Sequence, residues 1–436
     1  MMSESPKHTS FELEAPPPRA TAFREILLLG VICFACPGMF NALNGLGGGG
    51  QLDTSVASNA NVALYACFAL FSFVAGSLHN LLGPKPCILL GGLTYALYVG
   101  SLLHYNVHGS STLVVFAGGL LGVGASLLWT AQGAMMLAYP SEHEKGKFIS
   151  SFWIVFNLGG VLGGFIPFGC NFHSTASTVN DATYIGFMAI MVLGALLALL
   201  LRRPHRVTRS DHSLVAYPTT ATSPLIELRG LLSALRDPRV LCLLPAAFYS
   251  NFFYAYQFND VNGKLFTLRT RGLNNALYWA MEMLGAYVFG TKLLDVEFWS
   301  RAKRARVGLY VLTALCVLTW ALGAGVQSTY TRTSTQALLD FTDANAAFPM
   351  VVYLLYGFLD ATFQTYVYWM IGALTNDASE LARIVGLYKA FQSAGGAISW
   401  KVDVAGAGLM LQLGLNWGLM LLALLCMVLV ARTLTK

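Results

Sequence analysis

The sequence predicts an all-α polytopic membrane protein, with about twelve transmembrane helices in two pseudo-repeated six-helix bundles. Three observations predict it. Of 436 residues, 56% are hydrophobic and only 11% are charged, less than half the charged share of an ordinary soluble domain. Apolar runs recur that reach the roughly 20 residues needed to cross a hydrocarbon core of about 30 Å. Short sequence matches also recur between corresponding helices of the two halves of the chain. The 43 glycines fit helices that pack closely in lipid.

The spans are expected near residues 24–45, 60–81, 86–104, 112–137, 148–169, 182–201, 240–262, 273–295, 305–326, 347–373, 382–401 and 408–431. An even number of spans places both termini on one side. Loops on that side hold 21 of the 27 Lys and Arg residues. The opposite loops hold four, Lys264, Arg269, Arg271 and Arg332, while Lys389 and Lys401 lie within or at the edge of a helix. By the positive-inside rule both termini are expected in the cytosol. The net charge of +6 therefore reports orientation and does not mark a nucleic-acid binder. The plasma membrane and a vacuolar or endosomal membrane fit equally well.

This pattern divides the chain into four parts. Residues 1–23, polar and holding Pro16, Pro17 and Pro18, are expected to be a disordered cytosolic tail without the apolar core of a signal peptide. Residues 24–201 form the N-terminal bundle. Residues 202–239 form a cytosolic linker, in which Ile226, Leu228, Leu231, Leu232 and Leu235 can share one face of a short helix on the membrane surface. Residues 240–436 form the C-terminal bundle. The halves echo each other: Asn41-x-x-Asn44-Gly45 closes the first helix and Asn259-x-x-Asn262-Gly263 the seventh, both offset by 218 residues. Phe156-Asn157-x-Gly-Gly in the fifth helix is matched by Phe391-Gln392-x-Ala-Gly in the eleventh. Repeated bundles with a site between them are how many secondary transporters are built.

Ionisable groups at the bilayer centre cost roughly 2.5–3.5 kcal/mol each on insertion scales, so each needs a partner or a purpose. Glu282, Asp360 and Lys389 stand out. At 1.5 Å per residue, Asp360 and Glu282 both lie about 20 Å from the cytosolic ends of their helices, and Lys389 about 10 Å from its own. The acids are thus expected near one level, where burial and mutual repulsion favour their protonated forms. Lys389 is expected to rise toward them or to snorkel to the inner surface. Asp360, Gln364 and Tyr368 share one helix face at i, i+4, i+8. Asn41, Asn44, Gln132, Asn157, Asn259, Asn262 and Gln392 are candidate polar linings of a cavity. Pro37 and Pro245 favour kinks in the first and seventh helices. Tyr249, Phe252, Phe253, Tyr254, Tyr256 and Phe258 are expected to anchor the seventh helix at the interface, rather than to wall a substrate site. Gly47 to Gly50 lack the Lys-Ser/Thr of a phosphate loop and are expected to act as a hinge.

Catalytic chemistry lacks its parts. The eight histidines fall in the tail, in loops or near helix ends, and no His-Glu-x-x-His or paired ligand set lies at membrane depth. Cys33, Cys36, Cys67, Cys242, Cys316 and Cys426 lie in apolar runs, Cys87 begins one, and Cys170 near the outer surface has no evident mate. These read as small buried residues, not a disulfide framework or a metal site. No enzyme, metal or cofactor is expected. The expected partners are the lipid bilayer and either an unidentified small solute or a membrane protein.

Between the second and third helices stands Gly76-Ser-Leu-His-Asn80-Leu81-Leu-Gly83-Pro84-Lys85. It resembles the Gly-x-x-x-Asp-Arg-x-Gly-Arg-Lys signature of the major facilitator superfamily in its glycines and final lysine, but lacks the acid and both arginines of the charge-based gate. Further segments carry a closer likeness: Asn44-Gly-Leu-Gly-Gly-Gly-Gly-Gln51, Ala60-Asn61-Val-Ala-Leu-Tyr65, Leu128-Trp-Thr-Ala-Gln132-Gly, Phe156-Asn-Leu-Gly159, Gly357-Phe-Leu-Asp360-Ala-x-x-Gln364-Thr, Tyr368-Trp-x-x-Gly-Ala-Leu-x-Asn-Asp377 and Tyr388-Lys389-x-x-Gln392-Ser-Ala-Gly395. Together they resemble the Unc-ninety-three-like branch of that superfamily, whose fungal members are often described as ion channel regulatory proteins. The resemblance implies a major-facilitator-like fold, with the tenth helix bordering the central cavity, and leaves two functions in view. One is a secondary transporter or transporter-like protein for a small solute, with Asp360 as the site that would couple it to protons. The other is a non-transporting regulator of a channel or receptor.

Overall fold

The computed structural model describes residues 20–47, 54–141, 144–170, 181–215 and 224–434. Most of the N-terminal tail, Gly48 to Gly50 of the glycine run and the middle of the linker lie outside these residues, as do the expectations made for them. Twelve helical rods follow in order: α1 (Ala22–Asn44), α2 (Thr54–Leu82), α3 (Pro84–His108), α4 (Ser111–Ala138), α5 (Lys145–Cys170) and α6 (Asp181–Leu197). After the linker come α7 (Pro238–Tyr249, resumed at Tyr256–Gly263), α8 (Leu268–Tyr287, continued to Leu294), α9 (Arg301–Gln327), α10 (Ala347–Leu374), α11 (Ala378–Val404) and α12 (Leu409–Thr433). Among the described residues, nine helices are long and apolar enough to cross a membrane. The other three rods are α7, which is broken, and α8 and α11, which carry buried Glu282 and Lys389.

The packing repeats with a shift of six helices. In the first half α2 packs on α4, α3 on α4 and α6, and α1 on α5; in the second, α8 packs on α10, α9 on α10 and α12, and α7 on α11. The halves meet through two equivalent seams, α2 against α11 and α5 against α8. The repeated asparagines occupy matching places. Asn44 pairs with Asn61 on the following helix, at 3.4 Å, and Asn262 accepts from Asn274 on its following helix, at 3.0 Å.

Glycine makes both seams possible. On α5 the doublets Gly159-Gly160 and Gly163-Gly164 present two columns. A Cβ on Gly159 would lie 2.4 Å from the Phe34 carbonyl oxygen of α1, and one on Gly160 would lie 2.4 Å from the Trp279 indole of α8. One helix thus closes against both bundles at backbone distance.

The prolines mark irregular backbone. Pro37 sits in a widened π turn, Phe34–Gly38, inside α1. The seventh span is not the continuous helix expected over 240–262. It stops at Tyr249, four residues after Pro245, and resumes at Tyr256. The freed polar groups find partners within the protein: the Ser250 hydroxyl donates to Ala246 O at 2.7 Å and the Ser399 hydroxyl to Phe252 O. Irregular backbone at membrane depth requires such partners.

The expected aromatic anchor is overturned here. Tyr249, Phe252, Phe253, Tyr256 and Phe258 are buried inside the protein. Tyr249 packs edge-on against Phe363 of α10, and Phe258 against Tyr278 of α8. An apolar, aromatic run suits lipid headgroups and protein interior alike, and packing decided for the interior. In the linker, the helix Pro224–Ala234 leaves Ile226, Leu228 and Leu232 exposed, and its Gly230 rests on Arg383 of α11. The described cysteines are all free, and Cys36 donates to Met191 O at 3.3 Å as a small packing residue.

Candidate functional site

α10 carries the centre of the site. Its face of Asp360, Gln364 and Tyr368 is buried, with Asp360 only 3% exposed. Gln364 donates to Asp360 Oδ1 at 2.8 Å. The Tyr278 hydroxyl of α8 lies 2.9 Å from Gln257 Oε1 and 3.2 Å from Asp360 Oδ2, and its one proton serves either. Glu282, one helical turn beyond Tyr278, faces Asp360. Its Oε2 accepts from Asn157 of α5 at 2.8 Å. The two acids expected at one level are therefore neighbours, and an N-terminal asparagine is bonded to the pair.

The network continues to α11. Gln392 donates to Gln364 Oε1 at 3.2 Å, and Lys389 donates to Gln392 Oε1 at 2.7 Å. Lys389 neither snorkels nor pairs with an acid. It is 3% exposed, and its ammonium lies 4.8 Å from the ring centre of Trp129, 5.2 Å from Tyr388 and 5.3 Å from Tyr368. Aromatic rings stabilise a cation in such a setting. Two glutamine amides thus stand between Lys389 and Asp360.

This network borders a small central cavity of about 60 Å³. Both halves line it: Asn41, Tyr65 and Trp129 on one side, and Tyr254, Gln364 and Lys389 on the other, with Gln392 beside them. The remaining candidates lie elsewhere. Gln132 donates to Met136 Sδ within α4. Asn259 donates to Asp403 at 2.8 Å and Ser58 at 3.3 Å. Asn44 and Asn262 sit at the end of the bundle away from the termini, where Asn262 also donates to Gly45 O at 2.9 Å.

Hydrogen bonds join the two halves on either side of the cavity. On the side away from the termini, Asn275 adds a bond to Ala42 O at 2.9 Å. On the terminal side, Lys145 donates to Gly372 O at 2.6 Å and to Asn376 at 2.7 Å. Asp295, just after α8, accepts from the Gly146 and Lys147 backbone N–H groups at 3.1 and 2.6 Å. A carboxylate there satisfies orphan donors at the α5 N-terminus and complements its dipole. In the degraded signature before α3, Lys85 donates to Leu199 O inside its own half. Asp295 stands in the pseudo-equivalent α8–α9 loop.

Sequence reading missed Tyr278, Gln257, Trp129, Tyr254 and the latch residues Lys145 and Asp295. The signal for Gln257, and for Asp260 near it, was a polar side chain inside the span expected over 240–262, which the reading passed over. Asp260 and Asp403 both pair with Arg332, at 3.2 and 2.8 Å.

Comparison with known proteins accords with this arrangement. The family model described as "Ion channel regulatory protein UNC-93" matches residues 57–428. UNC93-like protein 1 of Arabidopsis thaliana is 45% identical over 399 residues, covering 91% of this chain and 86% of that protein. The UNC93-like protein C922.05c of Schizosaccharomyces pombe is 41% identical over 405 residues, covering 92% and 80%. Among solved structures, the Escherichia coli fucose:proton symporter FucP superposes with a TM-score of 0.62 at 13% identity, covering 95% of this chain and 98% of that one. A bacterial homologue of the iron transporter ferroportin gives 0.61 at 12% identity, covering 95% and 98%. The fold is that of major facilitator transporters, and by its sequence the chain belongs to the UNC-93 family.

Proposed function

We propose that this protein is a secondary transporter of a small solute, working by alternating opening of the two halves around the central cavity and coupled to protons through Asp360 and Glu282. One observation carries the reading: a cavity lined by both halves is wired by hydrogen bonds to a buried carboxyl pair. Two carboxyls this close, away from water, hold a proton between them more readily than both ionise. The groups facing the pair are Tyr65 of α2, Tyr249 and Tyr254 of α7, Tyr278 of α8, and Tyr388 and Lys389 of α11. Only Lys389 brings a cation, and it stands two amides away. Opening one end while the other stays latched moves the carboxyl pair from one aqueous side to the other.

Asp360→Asn keeps the size and removes the titration. The test is uptake of a metabolite panel into proteoliposomes under an imposed pH gradient. We expect Asp360→Asn to abolish the dependence on the gradient while reaching the membrane normally. Unchanged dependence in a well-delivered protein would rule out the coupling role. The family description supports a second reading, a non-transporting regulator of a membrane-protein partner. That reading gains if no panel member moves in either protein.

The orientation belongs to this proposal: termini and linker in the cytosol, residues 327–346 outside, no catalysis, and residence in the plasma membrane or a vacuolar or endosomal membrane. The 21-to-4 charge imbalance motivates it. Single cysteines at Ser213 and Ser334, in a cysteine-free background, test it. Only position 334 should react with an impermeant reagent outside intact cells, and labelling at 213 would sink the orientation.

A further inference from the structure

We propose that the central cavity takes a monoanionic carboxylate, seated with its charge on the Lys389 ammonium and its apolar body against the aromatic wall. This rests on the cavity being a solute site, as argued above, and names the class of solute.

Lys389 is the one basic residue in the lining, and no Asp or Glu lines the cavity with it. An ammonium has three protons to give. Gln392 Oε1 takes one, at 2.7 Å, and no carboxylate among the described residues lies within ion-pair distance. Trp129, Tyr368 and Tyr388 surround the ammonium with rings. Rings attract a cation but accept no full hydrogen bond and bring no counter-charge. The nearest acid is already engaged: Gln364 and Tyr278 bond the two oxygens of Asp360. A buried cation without a counter-ion calls for one, and the open space beside it is where a ligand brings it.

The rest of the lining selects the rest of the solute. Phe40, Tyr65, Phe68, Trp153 and Phe156 present rings to the cavity, and flat apolar groups pack well on such surfaces. Asn41 and Asn251 add neutral polar contacts. One lysine, with no arginine near it, matches a single negative charge. Phosphate recognition usually recruits bidentate guanidinium groups or several cations.

The test is calorimetric titration of the purified full-length protein with matched pairs: acetate and acetamide, benzoate and benzamide, phenylacetate and phenylacetamide. Each pair keeps its shape and differs in charge. We expect saturable binding of at least one carboxylate, at least tenfold tighter than its amide. Lys389→Met should bring the two to equal affinity, and Lys389→Arg should keep the preference. Amides that bind as well as acids, benzylamine that binds better than benzoate, no saturable carboxylate, or a preference that survives Lys389→Met would each overturn the proposal. The wild-type pairs decide the matter even where Lys389→Met fails to fold. Charge-selective binding without flux in proteoliposomes would remove the transport reading and keep this site. Flux of neutral solutes untouched by Lys389→Met would do the reverse.

Discussion

The two halves share one packing plan and differ sharply in chemistry. All six rods of the first half are long and apolar enough to span. Its contributions to the centre are neutral: Asn41 and Trp129 on the cavity wall, and Asn157 on the carboxyl pair. The second half holds Glu282, Asp360 and Lys389, and three of its rods fail the simple test of length and apolarity. A duplicated scaffold thus holds the carboxyl pair and Lys389 in one bundle and meets them with neutral amides and aromatic rings from the other. The difference teaches that the irregular half is the chemical half, because buried polar groups must be partnered by neighbouring helices before a rod can cross lipid.

The comparison can be broken most severely at the seam between α5 and α8. Gly160→Val forces its side chain into Trp279, 2.4 Å from an ideal Cβ. Overpacking of this kind costs about 1–3 kcal/mol, and we expect most of the protein to be lost from the membrane on quantitative blotting. Gly169→Val on the same helix, where nothing lies within 4 Å, should be delivered normally. Equal delivery of both variants would show that the seam is not tight.

The terminal-side latch comes next. Asp295→Asn weakens a carboxylate cap, and Lys145→Met removes two bonds between the halves. Hydrogen bonds to charged groups contribute about 1.5–3 kcal/mol each. Labelling of a cysteine at Asn251 in the cavity should therefore speed up about tenfold or more from the terminal side in the double variant. The equivalent changes at Glu144 and Lys147, which form an exposed pair at 3.8 Å, should leave the rate alone.

The smallest effect is expected at Asp340, in the loop before α10. Arg269 grips it through two bonds, at 2.7 and 2.9 Å, and holds its carboxyl well below the usual carboxylate range. A depressed acid contributes stability above its unfolded pKa and loses it only as pH falls through the lower folded value. Asp340 thus contributes a constant amount between pH 5 and 8. Asp340→Asn should lower Tm by no more than about 2 °C and leave the pH dependence of uptake unchanged in shape, in contrast with Asp360→Asn.

Much of this was legible in the sequence, for physical reasons. Apolar length reports rods, so α1 to α6 were readable, and the depth of Glu282 and Asp360 followed from rise per residue. The face of Asp360 and Gln364 followed from helical periodicity. The break in α7 was not legible, because an aromatic run looks the same whether it faces lipid, headgroups or protein. The partner of Lys389 was not legible either. Depth offered an acid or the surface, and the fold supplied three rings and a glutamine from neighbouring positions. Asp295 was hidden most deeply, since its partners lie 148 and 149 residues away and the gate was sought in the α2–α3 loop.

That last contact bears on how the chain is made. Synthesis delivers the first six rods to the bilayer before α8 exists, and domains generally fold as they emerge. The first turn of α5 has its Gly146 and Lys147 donors satisfied by Asp295, so an N-terminal bundle alone leaves both donors to water. The newborn bundle carries an uncapped helix end until the other half arrives. The later half then supplies the capping carboxylate to the earlier one.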